Sequence, residues 1–209
     1  MGLYANYLFP RLMEHALGTG QVHDLRHRTL APVSGEVLEI GFGTGLNLSH
    51  YPATVTRLTT IEPVVMLPRV VGQRIAAAPF PVRQLQLDAA GRLPLEDGSF
   101  DFVVSTFTLC SIPDVISALG EIRRTLKPGG QFIFLEHGRS DNAKVARWQD
   151  RLNPLQKVIG CGCHLNRRMD QLISENGWRI VELERFVMPD TPRILGQMYR
   201  GAAISAEAG

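Results

Sequence analysis

Short apolar segments that alternate with helix-compatible segments constrain the fold of this chain more than any other feature. Such segments, closed by glycine or polar residues, are typical of strands buried on both faces of a parallel sheet. The predicted strands cover residues 36–40, 57–61, 82–87, 102–106 and 131–136, and the predicted helices between them cover residues 45–50, 64–77 and 113–126. This order predicts a doubly wound α/β sheet whose strand carboxyl ends share one edge, where ligands bind in such folds.

The remaining segments complete a single predicted domain over residues 1–209. Residues 1–32 are predicted to form a helical cap, because Tyr4, Leu8 and Leu12 recur every four positions, with an interruption at Pro10. Residues 33–138 form the predicted cofactor-binding core. Residues 139–209 form the predicted acceptor side, whose helices cover 143–159 and 166–176 and whose last two strands cover 178–187 and 194–203.

Composition excludes several classes of protein. The 22 basic and 20 acidic residues give a formal net charge of +2, too small to indicate a nucleic-acid partner. No apolar run is long enough for a transmembrane helix, and no signal peptide is recognised. Three cysteines in this setting predict a reducing, cytoplasmic environment. The sequence gives no signal for an oligomeric state.

A glycine-rich loop follows the first predicted strand, in the stretch Glu39-Ile-Gly41-Phe-Gly43-Thr-Gly45. Glycines there allow positive φ and a close approach of the backbone to a ligand. The spacing differs from the G-x-G-x-x-G of dinucleotide sites, and the carboxylate of Glu39 would repel a diphosphate. The loop therefore favours a cofactor that carries an amino group over a nicotinamide dinucleotide.

Two further strand ends carry acidic residues. Glu62 ends the second strand, where its oxygens can accept both hydroxyls of a ribose, and Asp88 with Ala89 follows the third strand, where an exocyclic amine can be received. Any one of these carboxylates alone is as consistent with a solvated loop residue as with a cofactor contact. Three in succession beside a glycine loop predict a cofactor with an amine, a ribose and an adenine.

With VLEIGFGTG, LDAAGRLPLEDGSFDFVVS and LKPGGQFIFLEHG in this order, the chain resembles the class I S-adenosylmethionine-dependent methyltransferases over residues 30–138. The resemblance implies S-adenosylmethionine as cofactor and a Rossmann-like sheet of seven strands, mostly parallel, with an antiparallel last strand. It implies that Glu39 acts near the methionine amino group, directly or through the loop, and that Glu62 binds the ribose. The other implied cofactor contacts come from the loop backbone at Gly41, Gly43 and Gly45, from Asp88 and Ala89 at the adenine, and from Thr106 at the methionine portion.

The segments SFDFVVSTFTLCSIPD, FIFLEHGRS, GCHLNRRM and MYRGAA resemble the branch of the membrane-associated thiol methyltransferases and their bacterial relatives. A small-molecule thiol is thus the first predicted acceptor. Methylation of a phospholipid amine or a quinone is the enzymatic alternative, and a non-catalytic cofactor-binding regulatory or assembly protein is the alternative from another class. The hydrophobic N-terminal anchor of the mammalian proteins is not found in this sequence, so membrane attachment does not carry over.

Candidate acceptor-side residues follow the fifth strand. His137 is the predicted base, or else a loop histidine bonded to backbone, and Glu136 is predicted to orient it. Cys161, Cys163 and His164 offer two thiolates and an imidazole without a second cluster to complete a tetrahedral set. No metal is therefore predicted, and the preferred interpretation is an acceptor-pocket loop in which His164 contacts substrate.

Three basic residues share one face of the helix predicted over residues 143–159. Lys144, Arg147 and Arg151 lie at i, i+3 and i+7. The stripe is either solvated or provides a peripheral contact with an anionic acceptor or a membrane surface.

Overall fold

The structure is a computed structural model that describes residues 4–206, so the ends of the predicted cap and of the last segment, residues 1–3 and 207–209, lie outside the described residues. Its strands are β1 (Gly35–Ile40), β2 (Val55–Ile61), β3 (Val82–Leu85), β4 (Phe100–Thr106), β5 (Leu126–His137), β6 (Trp178–Val187) and β7 (Gln197–Ser205). They form one sheet with the order β3-β2-β1-β4-β5-β7-β6.

Strand direction in this sheet confirms the predicted α/β class. The pairs β1–β2, β1–β4, β2–β3 and β4–β5 are parallel, whereas β7 is antiparallel to both β5 and β6. The last strand therefore lies between two earlier ones, as the resemblance implied. From β1 the sheet extends in two directions, through β2 on one side and through β4 on the other, so the order of the strands reverses at β1. Such a reversal opens a crevice at the carboxyl end of β1.

Six α-helices accompany the sheet: α1 (Phe9–Leu17), α2 (Gly20–Leu30), α3 (Pro68–Ala76), α4 (Val115–Thr125), α5 (Ala143–Ile159) and α6 (Met169–Ser174). A π-helical turn, Tyr4–Leu8, precedes α1. Asn142 begins α5 by accepting hydrogen bonds from the backbone N–H groups of Lys144 and Val145, at 3.0 and 3.3 Å.

The core consists of two apolar layers, one on each face of the sheet. In one layer, α4 and α6 pack against Phe132 and Phe134 of the sheet. In the other layer, α3 and the last residue of α2 pack against Val37 and Val104. A strand buried on both faces has no polar side, which explains the continuous apolar segments in the sequence.

Several predicted boundaries were wrong. The N-terminal helices break at Gly18 and Thr19 rather than at Pro10, because proline is tolerated in the first turn of α1. Only a 3₁₀ turn, Leu48–His50, forms where a helix was predicted over 45–50. In the described residues, no helix is both long and apolar enough to cross a membrane.

Candidate active site

The glycine loop after β1 lies against the loop after β4. Gly41, Gly43 and Gly45 have φ values of 77°, 56° and 79°, which favour glycine. A Cβ atom on Gly41 would clash with the side chain of Thr108, whereas one on Gly43 would meet no atom within 4 Å. The backbone at Gly43 therefore faces open space, as a loop that receives a ligand must.

Glu62 forms one wall of the open space beside Gly43. Its Oε2 accepts a hydrogen bond from the Gly43 N–H at 2.9 Å, and both residues line a cavity of about 220 Å³ that reaches the end of β3. Burial raises the pKa of the Glu62 carboxyl. The remaining lone pairs of the carboxylate are available to hydroxyl donors, so the position fits the predicted ribose contact.

Glu39 is buried under the same loop, with 1% of its surface exposed. Its two oxygens accept hydrogen bonds of 2.8 Å from Asn47 Nδ2 and from the Tyr51 hydroxyl. Burial raises the pKa of Glu39 to about 7. Both oxygens thus hold the segment that follows the glycine loop, and the role of Glu39 near the methionine amino group stays a prediction.

Arg26 was not among the predicted site residues, yet it places a cation in this network. Its Nη1 donates to Asn47 Oδ1 at 2.5 Å and to Thr106 Oγ1 at 2.9 Å, and its guanidinium lies 5.2 Å from the centre of the Phe107 ring. Burial lowers the pKa of Arg26 to about 10, and within the described residues its Nε is buried without a hydrogen-bond partner. A ligand carboxylate would compensate this buried charge.

A sequence signal for Arg26 exists. It lies four residues after Val22 and three before Thr29, on the face of α2 that is buried. A charged residue within an otherwise apolar helical stripe indicates a buried partner, and here that partner is the glycine loop and the end of β4.

Asp88 and Ala89 have different environments. Asp88 is exposed, and its Oδ1 accepts a hydrogen bond from the Ala90 N–H at 2.9 Å, which fixes the turn after β3. Ala89 is buried in the core layer that contains Phe132. Their predicted contact with adenine stays a prediction.

The side chain of Glu136 does not orient His137, contrary to the sequence analysis. The Glu136 carboxylate accepts hydrogen bonds from Ser105 Oγ at 2.7 Å and from the Thr108 N–H at 2.9 Å, and the described residues contain no hydrogen bond between Glu136 and His137. Neighbours along a strand point to opposite faces, which is why adjacency in sequence misled the prediction. Burial raises the pKa of Glu136 to about 7.

His137 lies instead beside two thiols. Its Nδ1 is 3.8 Å from Cys163 Sγ, which is 3.6 Å from Cys110 Sγ. The hydrogen bond to Cys110 and the His137 ring lower the pKa of Cys163, whereas the same bond to Cys163 and burial raise the pKa of Cys110. The role of His137 as a base stays a prediction.

Cys161 and His164, the other two candidate side chains of the Cys-Gly-Cys-His segment, are not members of this cluster. Cys161 is exposed. The backbone N–H of His164 donates to the Cys110 carbonyl at 2.9 Å, while burial lowers the pKa of its half-buried imidazole. The contact of His164 with substrate therefore stays a prediction, and its backbone joins the two cysteine-bearing loops.

Helix α1 covers the glycine loop from the other side. Glu14 accepts a hydrogen bond of 2.5 Å from Thr44 Oγ1 and pairs with Arg74 Nη2 at 2.5 Å, while Arg74 Nη1 donates to the Thr44 carbonyl at 2.8 Å. Two elements distant in sequence thus hold the loop through one carboxylate. Tyr7 lines a second cavity beside the segment that follows β2.

Comparison with known proteins decides the family. A family model described as a methyltransferase domain matches residues 12–183. The chain belongs to this methyltransferase family. It is 34% identical over 187 residues to the thiol S-methyltransferase TMT1B of Rattus norvegicus, which covers 83% of this chain and 75% of the relative.

Two more distant methyltransferases are also similar. The phosphatidylethanolamine N-methyltransferase of Cereibacter sphaeroides is 28% identical over 160 residues, which covers 75% of this chain and 78% of the relative. The structure of a methyltransferase in complex with the Trm112 activator of Haloferax volcanii matches with a TM-score of 0.69 at 19% identity. The match covers 98% of this chain and 96% of the other chain, and it shows that the two share a fold.

The chain is therefore a class I methyltransferase similar to the thiol methyltransferase branch, and its cofactor is S-adenosylmethionine. The open face of Gly43, the Glu62 carboxylate at the cavity and the buried guanidinium of Arg26 fit the hydroxyls and carboxylate of that cofactor. The cofactor supplies a sulfonium methyl group that is already activated. The protein's task is to bind and orient it and to exclude water.

Proposed function

We propose that this methyltransferase transfers the methyl group of S-adenosylmethionine to the thiol of a small apolar molecule. The observation that carries the proposal is the 34% identity to a thiol S-methyltransferase over 83% of the chain. Chemistry agrees with it. A thiol has an ordinary pKa near 8.5, so roughly one unit of assistance yields the thiolate nucleophile at neutral pH, whereas an amine or alcohol needs more.

The surface around the acceptor-side loop supports an apolar acceptor. Leu155, Val158 and Ile159 in the last turns of α5 are exposed, and Val158 has 73% of its surface accessible. The Tyr4 hydroxyl donates to the Ile159 carbonyl at 2.6 Å, which brings the exposed N-terminal aromatic residues to the same place. An apolar molecule would gain hydrophobic contact on approaching the loop that carries Cys163.

A second candidate is methylation of a phospholipid amine, as in the Cereibacter relative. It is favoured by α5, where Lys144, Arg147 and Arg151 are exposed and Arg151 lies 5.4 Å from the centre of the Trp148 ring, itself 54% exposed. Basic residues beside an exposed tryptophan suit an anionic lipid surface.

Incubation with methyl-labelled cofactor separates the candidates. The panel contains alkyl and aryl thiols, phosphatidylethanolamine vesicles and a demethylated quinone. We expect label in thioethers only. Label in lipid alone would replace the proposal with the second candidate, and label in the quinone alone would contradict both. Glu62→Ala should lose S-adenosylhomocysteine affinity in calorimetry, while the exposed Glu96→Ala should retain it.

A further inference from the structure

Three side chains from separate segments converge beside the strand edge. Cys110 follows β4, His137 ends β5 and Cys163 follows α5, and they present one ligand atom each, all within 4.8 Å of one another. We propose that Cys110, His137 and Cys163 bind a zinc ion and leave its fourth position open for the sulfur of the thiol acceptor. The identity of that fourth ligand rests on the proposed function, whereas the three-ligand site does not.

Two of the three distances within the cluster are close to those of a tetrahedral zinc site. Zinc lies about 2.3 Å from a thiolate and about 2.0–2.1 Å from an imidazole nitrogen, so tetrahedral angles place two sulfurs about 3.8 Å apart and a sulfur and a nitrogen about 3.6 Å apart. The observed separations are 3.6 Å between Cys110 Sγ and Cys163 Sγ and 3.8 Å between Cys163 Sγ and His137 Nδ1. The third pair, Cys110 Sγ and the His137 ligand nitrogen, lies within 4.8 Å. The three ligand atoms are therefore already close enough together to share one ion.

The hydrogen bonding of His137 also indicates a missing ligand. The side chain is 7% exposed, its Nδ1 has only the long contact to Cys163, and its Nε2 is buried without a partner in the described residues. Buried polar atoms are normally hydrogen-bonded or bound to an ion. Coordination through Nδ1 would satisfy that ring nitrogen, whereas Nε2 stays buried without a partner in the described residues.

The loop that carries Cys163 is fixed in place before any ion binds. The backbone N–H of Cys163 donates to the Gly160 carbonyl at 3.1 Å, and the N–H of His164 donates to the Cys110 carbonyl at 2.9 Å. Cys161 and Gly162 have positive φ values of 47° and 102°, which turn the chain sharply there. The two thiols are consequently held together by backbone hydrogen bonds and do not depend on a disulfide.

Charge balance favours a divalent cation. Two thiolates and a neutral imidazole carry a charge of −2, which zinc neutralises. Glu136 and Arg167 also lie close enough to the cysteines to interact with them electrostatically. Arg167 is partly buried, and its Nη1 donates a hydrogen bond to the Leu109 carbonyl.

Three protein ligands are typical of a reactive zinc site, because the fourth tetrahedral position stays available. Cys163 is partly exposed while the other two ligands are buried, so we place the open position on its side. A bound thiol would release its proton to solvent at neutral pH, and its sulfur would form the new bond to the methyl carbon as the methyl–sulfonium bond of the cofactor breaks. The products are a thioether, which binds zinc weakly, and S-adenosylhomocysteine. In this mechanism His137 holds the metal, and the metal replaces it as the group that assists deprotonation.

Cobalt substitution tests the metal site without turnover. Fully reduced protein titrated with Co²⁺ should develop thiolate charge-transfer absorption and the visible bands of tetrahedral cobalt at one ion per chain, and Zn²⁺ should abolish them. Cys163→Ser and Cys110→Ser should lose these bands. Cys161→Ser is the matched control, since this exposed thiol lies two residues from Cys163, and it should retain them.

Each variant is first shown to bind S-adenosylhomocysteine as the unaltered protein does, which separates loss of a ligand from loss of the fold. A wild-type protein without the bands, or a Cys163→Ser variant that keeps them, overturns the site.

A small monothiol should intensify the charge-transfer absorption, and a thioether should not. Equal responses to the two compounds overturn the open position. Metal-free protein that methylates thiols at the full rate overturns the catalytic role of zinc while the proposed function stands. A cobalt site in a protein that methylates no thiol contradicts the proposed function and the thiol acceptor as fourth ligand, while the three-ligand site stands.

Discussion

Buried charge organises the binding edge at the scale of single residues. Arg26 and Glu39 both contact Asn47, one through its amide oxygen and the other through its amide nitrogen. The amide thus links a buried cation to a buried carboxyl group. This arrangement fixes the glycine loop and leaves part of the Arg26 guanidinium for a ligand.

Arg26→Gln is expected to weaken S-adenosylhomocysteine binding by about 10- to 100-fold, since a hydrogen bond to a charged group contributes about 1.5–3 kcal/mol. Calorimetry should show a much smaller change for 5′-methylthioadenosine, which lacks the amino-acid portion. Arg28→Gln, at an exposed position of the same helix, serves as control. Equal losses for both ligands would show that Arg26 only supports the fold.

Glu39 should make the stability of the cofactor-free protein depend on pH. Its pKa is raised to about 7 from an ordinary value of 4.5, so folding favours the protonated form. Its contribution to the free energy of unfolding is therefore complete below pH 4.5 and is lost as pH rises through 7. Comparison with Glu39→Gln by urea denaturation between pH 5 and 8 isolates it. We expect the wild type to lose stability relative to the variant as pH rises, and a constant difference would contradict the assignment.

Helix α1 acts as a cover at the scale of elements. Its contact with the glycine loop runs through the Glu14 carboxylate, which touches both Thr44 and Arg74. The pKa of Glu14 is lowered by the hydrogen bond from Arg74. The cover is therefore held by a charged contact at neutral pH rather than by a large apolar interface.

Glu14→Gln should loosen this cover. Since the pair is partly exposed, we expect a loss of about 0.5–1 kcal/mol and a rise of about two- to fivefold in amide hydrogen exchange over α1. Exchange measured by mass spectrometry checks this, with Glu96→Gln as an exposed control. Unchanged exchange in α1 would mean that apolar packing alone holds the helix.

The strands of the first half of the sheet were predicted closely, because the apolar pattern within each segment is enough to indicate a buried strand. The bounds of β4 and β5 extend further than predicted, and Leu126, expected to end a helix, instead pairs with Phe100. Such edges depend on pairing with a distant strand, and a local pattern contains no information about that partner.

The insertion of β7 between β5 and β6 unites the two halves of the chain at the scale of the whole molecule. Gly201 pairs with Phe134 on one side and with Leu183 on the other. A Cβ atom there would clash with the Glu182 carbonyl and lie 2.7 Å from Phe134 Cζ. The close approach of three strands therefore requires glycine at this position.

Gly201→Ala should destabilise the protein by about 1–3 kcal/mol through overpacking. Gly120→Ala is the matched control: it lies in α4 with no atom within 4 Å of the added Cβ, and it should stabilise by about 0.5–1 kcal/mol. Urea denaturation of both variants measures the difference. A neutral Gly201→Ala would show that β7 can shift away from its neighbours.

By itself, the sequence determined the class of fold, because this follows from periodicity and from the order of elements along the chain, and its motifs indicated the cofactor through a family resemblance. Only the tertiary structure decided which face of β5 Glu136 occupies, that Arg26 reaches the glycine loop, and that Cys110, His137 and Cys163 meet. The physical reason is distance along the chain. Contacts between segments many residues apart depend on how crossovers and loops pack, and a local pattern does not encode that packing.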